Sequence, residues 1–234
     1  YASLWLADQG ADVIKVEGTR GGDYLRWMPP LSGGTSCAFD ALNAGKRSVA
    51  VDLKHPSGKA LALALMKRAD VVIESFRPGV MDRLGLGYGQ LSAVNPRLVY
   101  CAISGYGQMG PYRDTAGHDL NYLALSGALG MTGPAGQPPG LSGVQIADIG
   151  GGSLWALVGI MGALFTRERS GSGQLLDISM TDGALGFLQS SIAATLAGDR
   201  AAQPRGLDTL TGGQACYAVY ETSDGRYMAL AALE

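Results

Sequence analysis

Two hydrophobic patterns alternate along most of the chain, one typical of helices and one typical of buried strands. Short runs rich in β-branched residues predict strands at residues 11–17, 48–53, 71–74, 98–104 and 174–180. Helical patterns lie between these runs, and this rhythm is typical of a parallel sheet with helices on both faces. The sequence therefore predicts an α/β protein with a doubly wound sheet.

The helical patterns have apolar positions three and four residues apart, and they predict helices at residues 1–9, 56–68, 81–91, 119–129, 153–167 and 181–196. Near the end of the chain, two alternating runs flank Asp224-Gly225, which is a strong signal for a β-hairpin. Polar residues at 198–213 predict a loop. Another long loop, at residues 18–34, is rich in glycine and proline, and we expect it to be functional.

Composition and charge argue against several classes of protein. Of the 234 residues, 47% are hydrophobic and 16% are charged, which is typical of a folded domain. The net charge is −2 without a long basic run, so the electrostatic footprint of a nucleic-acid-binding protein is missing. We expect no membrane span. The three cysteines lack CxxC spacing, so they indicate neither zinc nor a disulfide framework, and they suit a reducing, cytoplasmic location.

Both ends of the sequence look like interior positions of secondary structure. Tyr1 opens the chain within a helical pattern, and Glu234 closes it within a predicted strand. We therefore expect a fragment of a longer chain, so the lack of a signal sequence carries no information about targeting. We expect a large α/β domain at residues 1–185 and the start of a smaller α+β domain at residues 186–234.

Two predicted helix starts carry candidate acid/base groups. His118 precedes the helix predicted at 119–129 and Asp119 is its first residue, while Asp148 precedes three glycines and the helix predicted at 153–167. An imidazole and a carboxylate aimed at one carbon would form a pair of proton-transfer groups. Asp is also a preferred helix cap, and residue types alone favour capping over catalysis at both places.

Several basic residues lie near the ends of predicted strands. Arg77 and Arg83 follow the carboxyl end of the strand at 71–74, where open α/β sheets bind ligands, and Lys46 and Arg47 precede the strand at 48–53. All four are candidates for contacts with a phosphate-rich ligand, although residue type alone slightly favours a solvated surface charge at each position. The sequence contains neither a GxGxxG motif nor a P-loop, so a standard dinucleotide or Walker site is not expected.

Five stretches together resemble the family III CoA-transferase superfamily, also called the CaiB/BaiF family: ADQGADVIKVE, GKRSVAVDLKHPSG, ADVVIESFRPGVMDRLGLGY, SGYGQMGPYRDTAGHDLNYLALSG and GSGQLLDISMTDG. The resemblance implies a Rossmann-like parallel sheet in the large, CoA-binding domain. It also implies an interlocked homodimer that acts on acyl-CoA thioesters, with CoA as part of the substrate and no tightly bound cofactor. The basic residues above, together with Tyr122, would then contact CoA. Ala44 departs from the pattern, because many members carry Arg there.

The resemblance is greatest to the racemase members of the family, which invert the α-carbon of 2-methylacyl-CoA thioesters through an enolate. It implies that His118, paired with Glu234, forms one acid/base unit and that Asp148 forms the other. The backbone N–H of Asp119 would stabilise the enolate oxygen. Transferase members tend to have an aromatic residue where His118 stands.

A transferase is the alternative that the resemblance leaves open. Transferase members use an Asp carboxylate that attacks the thioester and becomes covalently acylated. Asp182 lies close to the position of that nucleophile. Some racemase-type members also carry Asp there, so Asp182 discriminates poorly between the two activities.

Overall fold

The computed structural model describes residues 1–198 and 205–234, so part of the predicted loop at 198–213 lies outside the described residues. The strands in these ranges are β1 (Ile14–Glu17), β2 (Leu31–Ser32), β3 (Thr35–Ser36), β4 (Arg47–Ala50), β5 (Val71–Glu74), β6 (Val99–Ser104), β7 (Leu175–Ser179), β8 (Tyr217–Glu221) and β9 (Tyr227–Ala231). Each predicted strand is present, with shorter ends in most cases.

The α-helices of the described ranges are α1 (Ala2–Asp8), α2 (Cys37–Asn43), α3 (Pro56–Met66), α4 (Val80–Leu84), α5 (Tyr88–Val94), α6 (Asp119–Ser126), α7 (Trp155–Ser170), α8 (Met180–Gly186) and α9 (Gln189–Leu196). Short 3-10 turns occupy Tyr24–Trp27, Ala128–Met131 and Thr209–Thr211. A wide π-helical segment, Ile146–Leu154, runs directly into α7. We call this segment the π segment.

The strands pair as an α/β protein requires. β5, β6 and β7 form a parallel sheet with β6 in the middle, and β1 pairs in parallel with β4. The remaining pairs are antiparallel hairpins, β2 with β3 and β8 with β9. The hairpin predicted around Asp224-Gly225 is therefore confirmed, as is the α/β fold class.

The contacts divide the chain into two compact units, and the first comprises residues 1–115 and 152–179. On one face of its three-stranded sheet, Val99 and Cys101 of β6 pack with Ile160 of α7. On the other face, Tyr100 packs with Leu91 of α5. This alternation follows from the two-residue period of a strand. The unit thus has helices on both faces of a parallel sheet, as parallel sheets require.

The second unit comprises residues 116–151 and 180–234. It contains α6, most of the π segment, α8, α9 and the β8–β9 hairpin, and α6 packs against α8. This division of contacts differs from the predicted boundary between residues 185 and 186. That boundary concerns the domains of a longer protein and stays a prediction.

The long loop at residues 18–34 is anchored at the end of β1. The buried Glu17 carboxylate accepts two hydrogen bonds from the Arg26 guanidinium, at 2.8 and 2.7 Å, and one from the Ser48 hydroxyl at 2.6 Å. The Arg26 hydrogen bonds are the main cause that lowers the pKa of Glu17 to about 2. The loop is therefore ordered by a buried ionised carboxylate. The functional role of the loop stays a prediction.

Two predicted helices end earlier than expected because a glycine adopts a left-handed conformation. Gly85, with φ of 71°, ends α4, so the helix predicted at 81–91 is two helices, α4 and α5. Gly127, with φ of 88°, ends α6 before the predicted stop at Gly130. Left-handed backbone costs glycine little, and it commonly terminates helices.

Two further helices have bounds that differ from the predicted ones, and both differences lie in the second unit. The helix predicted from residue 181 is interrupted near Phe187, where the end of α8 tightens into hydrogen bonds of the i to i−3 type. The helix predicted from residue 153 begins at Ile146 instead. The prediction was wrong here because three consecutive glycines read as a break, whereas they continue the helix as a π segment.

One helix of the described residues, Ile146–Ser170, is long and apolar enough to cross a membrane by length and composition alone, with mean hydropathy of 1.6 over 18 residues. The expectation that the chain has no membrane span stays a prediction. Core helices of α/β proteins pass the same test. Ala156, Ile160 and Ala163 form the buried side of this helix in the core of the first unit.

Candidate active site

His118 is the residue immediately before α6, and its backbone is held from both sides. It has extended geometry, and its N–H donates to the Asn121 side-chain oxygen at 3.0 Å. The preceding residue, Gly117, accepts a hydrogen bond from the buried Tyr122 hydroxyl at 2.5 Å. His118 itself is exposed. The first turn of α6 therefore fixes the main chain and leaves the imidazole accessible. The predicted CoA contact of Tyr122 stays a prediction.

Asp148 lies inside the first turn of the π segment, where it is half-buried. The segment begins with a hydrogen bond of 3.0 Å from the Ile149 N–H to the Gln145 carbonyl. Asp148 was expected to precede the helix as its cap, and that interpretation is wrong because the helix starts two residues before it.

The cap of the π segment is the side chain of Asp119, a role that the sequence analysis missed. Its Oδ1 accepts the N–H of Ala147 at 2.7 Å and the N–H of Asp148 at 3.0 Å. The two partners lie 28 and 29 residues further along the chain. The sequence indicated Asp119 as part of the cap of its own helix and as a backbone donor, and no local spacing signals a cap of a helix 28 residues away.

His118, Asp119 and Asp148 line one cavity of about 360 Å³ in the second unit. The other residues that line it are mostly apolar: Leu120, Leu123, Leu129, Leu141, Ser142, Val144 and Gln145. The structure thus brings together three predicted site residues from two helix starts. An imidazole and a carboxylate that face one cavity can remove a proton from a substrate carbon and return it. The apolar lining lies beside these two groups and suits an apolar part of the same substrate.

Burial is the main cause that raises the pKa of Asp148 above its usual value. The Asp119 carboxylate adds to the increase by charge repulsion, and His118 opposes it. The protonated form of Asp148 therefore persists to higher pH than that of a free aspartate. A carboxylic acid that holds its proton longer is better suited to return one to a carbanion or enolate.

Two glycines let the π segment approach α8 at backbone distance. A Cβ added at Gly151 would lie 2.5 Å from the Met180 carbonyl oxygen and 2.8 Å from the Ala184 nitrogen. A Cβ added at Gly183 would overlap the Gly151 carbonyl. Real Cβ atoms do not come this close, so a side chain at either position would force the two helices apart. Gly151, one of the three consecutive glycines that suggested a break in the helix, is therefore part of the contact with α8.

The remaining two candidates for catalysis lie elsewhere in the second unit. Asp182 is exposed in the first turn of α8, and it does not line the cavity formed by the described residues. Glu234 is exposed beyond β9. Within residues 1–198 and 205–234, no hydrogen bond or ion pair joins Glu234 to His118, and their pairing stays a prediction.

The four basic candidates lie in the first unit, and they divide into two groups. Lys46 donates to the Leu42 carbonyl at 2.7 Å, and Arg47 forms an ion pair with Asp12. Burial is the main cause that lowers the pKa of Lys46. Arg77 and Arg83, in contrast, are exposed, and their guanidinium groups form no hydrogen bond or ion pair with any residue that the structure describes.

Arg113 is a further cation that the sequence analysis did not single out. A Cβ added at Gly79, just before α4, would lie 3.1 Å from an Arg113 nitrogen and 3.2 Å from an Arg83 nitrogen. Two guanidinium groups therefore converge over one glycine. Such an arrangement suits a phosphate, because arginine binds phosphate oxygens through paired donors.

In the described residues, no group of three His, Cys, Asp or Glu side chains is placed to hold a metal ion.

Comparison with known proteins gives the class of this chain. The sequence profile of CoA-transferase family III matches residues 1–234. The chain belongs to this family, and the predicted resemblance is confirmed. A crystal structure of a CaiB/BaiF family protein from Brucella suis superposes with a TM-score of 0.87 at 37% identity, covering 97% of this chain and 60% of that one. The match also confirms the CaiB/BaiF fold.

Curated relatives include both activities considered above. The α-methylacyl-CoA racemase of Homo sapiens is 41% identical over 234 residues, which is 100% of this chain and 57% of that protein. The acetyl-CoA:oxalate CoA-transferase of Acetobacter aceti is 42% identical over 193 residues, which is 82% of this chain and 49% of that protein. The chain thus spans about half the length of the curated relatives that it matches.

Proposed function

We propose that the full-length protein racemises 2-methylacyl-CoA thioesters by moving the α-proton between two bases through an enolate. One observation carries this proposal: the His118 and Asp148 side chains line the same cavity, although thirty positions separate them in sequence. A transferase that works through a covalent aspartate needs no such pair. The similarity to α-methylacyl-CoA racemase supports the proposal.

In the proposed mechanism, one base removes the α-proton from one face and the other returns a proton to the opposite face. The raised pKa of Asp148 suits the returning step. The backbone N–H of Asp119 is the proposed donor to the enolate oxygen, because the first N–H groups of a helix lack acceptors within it. One such donor is worth about 2.7–4 kcal/mol. We propose Glu234 as the group that orients His118.

The wall of the cavity suits a branched acyl chain. Leu120, Leu123 and Val144 provide apolar surface next to the polar groups of the two helix starts. Transfer of apolar surface from water favours binding by about 25 cal/mol per Å². We propose that the phosphates of CoA contact the exposed guanidinium groups of Arg77 and Arg83. CoA then acts as part of the substrate, and no tightly bound cofactor takes part.

The test is solvent isotope incorporation with full-length protein and 2-methylacyl-CoA thioesters in heavy water. The expected result is deuterium at the α-carbon, together with conversion of either enantiomer to a mixture. Asp148→Asn and His118→Ala should each lower racemisation by about 10²- to 10⁴-fold, since each removes one acid/base group. Absence of deuterium at the α-carbon across a range of branched acyl-CoA thioesters would refute the proposal.

CoA transfer through Asp182 is the second candidate, and the similarity to acetyl-CoA:oxalate CoA-transferase favours it. Asp182 is exposed in the first turn of α8, where the helix dipole favours a carboxylate. Its attack on the thioester carbonyl would form a mixed anhydride and release the CoA thiolate. Hydroxylamine should then trap the acylated carboxylate in the presence of acyl-CoA. Full transferase activity in Asp182→Ala would exclude this mechanism.

We further propose a homodimer for the full-length protein, as the family resemblance implies, and a cytoplasmic location. The described cysteines, Cys37, Cys101 and Cys216, are free thiols, which suits a reducing compartment. Sedimentation of the full-length protein measures the oligomeric state, and a monomer at micromolar concentration would contradict the dimer.

A further inference from the structure

The start of the π segment depends on a side chain from another helix. The first N–H groups of any helix lack acceptors within the helix and need partners from outside. Here the N–H groups of Ala147 and Asp148 both point to one oxygen of Asp119, at 2.7 and 3.0 Å. Because the acceptor is a carboxylate at a helix start, these hydrogen bonds are assisted by charge.

The contact acts on the main chain of the proposed base itself. The Asp148 N–H is one of the two donors, so the position of its Cα is tied to the first residue of α6. His118 directly precedes Asp119 in sequence. A single residue therefore joins the backbones that carry the two proposed bases, and its side chain sets the distance between them.

The same carboxylate also acts on the charge of Asp148. The charged groups that influence the Asp148 carboxyl are Asp119, whose charge raises its pKa, and His118, whose charge lowers it. Removal of the Asp119 charge would therefore lower the pKa of Asp148. An Asn at position 119 separates the two effects, because its side-chain oxygen accepts hydrogen bonds but carries no charge.

We infer that the Asp119 carboxylate is a positioning residue that holds Asp148 against His118 in the cavity, and this inference rests on the two-base function proposed above. The side chain acts through Asp148, whereas the Asp119 backbone N–H has its own proposed role at the enolate oxygen. The two roles are separable by substitution, because every variant at position 119 other than proline keeps the backbone donor.

The test compares Asp119→Ala with Asp119→Asn in the full-length protein. Asp119→Ala should lower kcat for racemisation by about 10- to 100-fold through misplacement of the base, with KM changed less than about threefold. Asp119→Asn should restore most of kcat, because Asn caps helices as well as Asp. For the enantiomer whose α-proton Asp148 removes, kcat/KM falls at low pH as Asp148 becomes protonated. This fall should occur at lower pH in Asp119→Asn than in the parent protein.

Amide hydrogen exchange gives a readout that does not depend on activity. The Ala147 and Asp148 amides should exchange about five- to tenfold faster in Asp119→Ala, as expected for loss of a hydrogen bond, and near the parent rate in Asp119→Asn. If the parent protein proves inactive as a racemase, the proposed function fails while these rates still decide the positioning role. Asp119→Ser, which keeps a weaker acceptor, replaces Asp119→Ala if the latter does not fold.

Asp208 provides a matched control, because its carboxylate also accepts an N–H at the start of a short helix, from Thr209 at 2.6 Å, away from the cavity. Asp208→Ala should leave kcat, the pH profile and the exchange of residues 147 and 148 unchanged. Parent-like kcat and amide exchange in Asp119→Ala would overturn the inference. Equal loss of activity in Asp119→Ala and Asp119→Asn, without faster amide exchange, would overturn it as well.

Discussion

The two helix starts that carry His118 and Asp148 are held in different ways. At α6, the contacts are local: the His118 N–H bonds to Asn121, and Tyr122 bonds to Gly117. At the π segment, the contacts come from distant parts of the chain. Asp119 caps its first turn, and α8 packs against its glycines at backbone distance.

This difference shows in the surroundings of the two side chains. His118 is exposed on a locally built turn, whereas Asp148 is half-buried and has a raised pKa, mainly through burial. One candidate base is thus determined by its sequence neighbours and the other by tertiary packing. Loss of the contacts that hold His118, made by Asn121 and Tyr122, should therefore have local effects. Asp148 should instead respond to substitutions far from it in sequence, at Asp119 and Gly183.

The largest expected effect separates the two bases by enantiomer. His118→Asn and Asp148→Asn should each lower racemisation by about 10²- to 10⁴-fold. Each variant should still exchange the α-proton of one enantiomer with solvent, without inversion at that carbon. The enantiomer that His118→Asn exchanges should be the opposite of the one that Asp148→Asn exchanges. Chiral analysis of the deuterated products measures this. If both variants exchange the α-proton of the same enantiomer, the two bases do not act on opposite faces.

The contact between the π segment and α8 should be the next most sensitive feature. Gly183→Ala should lower the free energy of unfolding by about 3 kcal/mol, because the added methyl group overlaps the Gly151 backbone. Denaturant unfolding measures the loss. Gly130→Ala is a suitable control, since a Cβ there meets no atom within 4 Å. Equal stability of the two variants would mean that the backbones do not approach as described.

Disruption of the local cap at α6 should have a smaller effect. Asn121→Ala removes the acceptor of the His118 N–H, and we expect a loss of about 1 kcal/mol in the free energy of unfolding. Amide exchange should rise at His118 and stay unchanged at Ala147 and Asp148. Faster exchange at all three residues would contradict a purely local role of the Asn121 contact.

The smallest expected effect is a pH-dependent change in the free energy of unfolding when Asp148 is replaced. A carboxyl group with a raised folded-state pKa stabilises the fold below its unfolded pKa, and this contribution is lost as pH rises through the folded pKa. Asp148→Asn should therefore be more stable than the parent at pH 7, by less than about 1 kcal/mol because Asp148 is only half-buried. The difference should vanish well below pH 3.8. Thermal unfolding across pH measures it, and a less stable variant at pH 7 would contradict the prediction.

Several elements of both units follow from local sequence patterns. In the first unit, the strand at residues 71–74 has the predicted bounds, and in the second unit Asp119 is the predicted first residue of α6. Both depend on signals within a few residues, namely a short β-branched run and a polar residue before an apolar one. The helix α2 (Cys37–Asn43) received no prediction, because its short sequence lacks a sustained apolar period.

The candidate site was predictable as a set of residues but not as an arrangement. The family resemblance singled out His118 and Asp148, which now line one cavity. It did not reveal the Asp119 cap or the close approach of Gly151 and Gly183, because both depend on backbones that meet only in the folded chain. The contact of Lys46 with the Leu42 carbonyl, four residues earlier, was missed because helix α2 received no prediction.

The cap of the π segment also has a consequence for the order of folding. Asp119 and Ala147 are only 28 residues apart, and the entropy cost of closing such a loop grows with the logarithm of its length. Loops of this size close long before slow, long-range pairing is complete. The two candidate bases are therefore expected to meet early during folding.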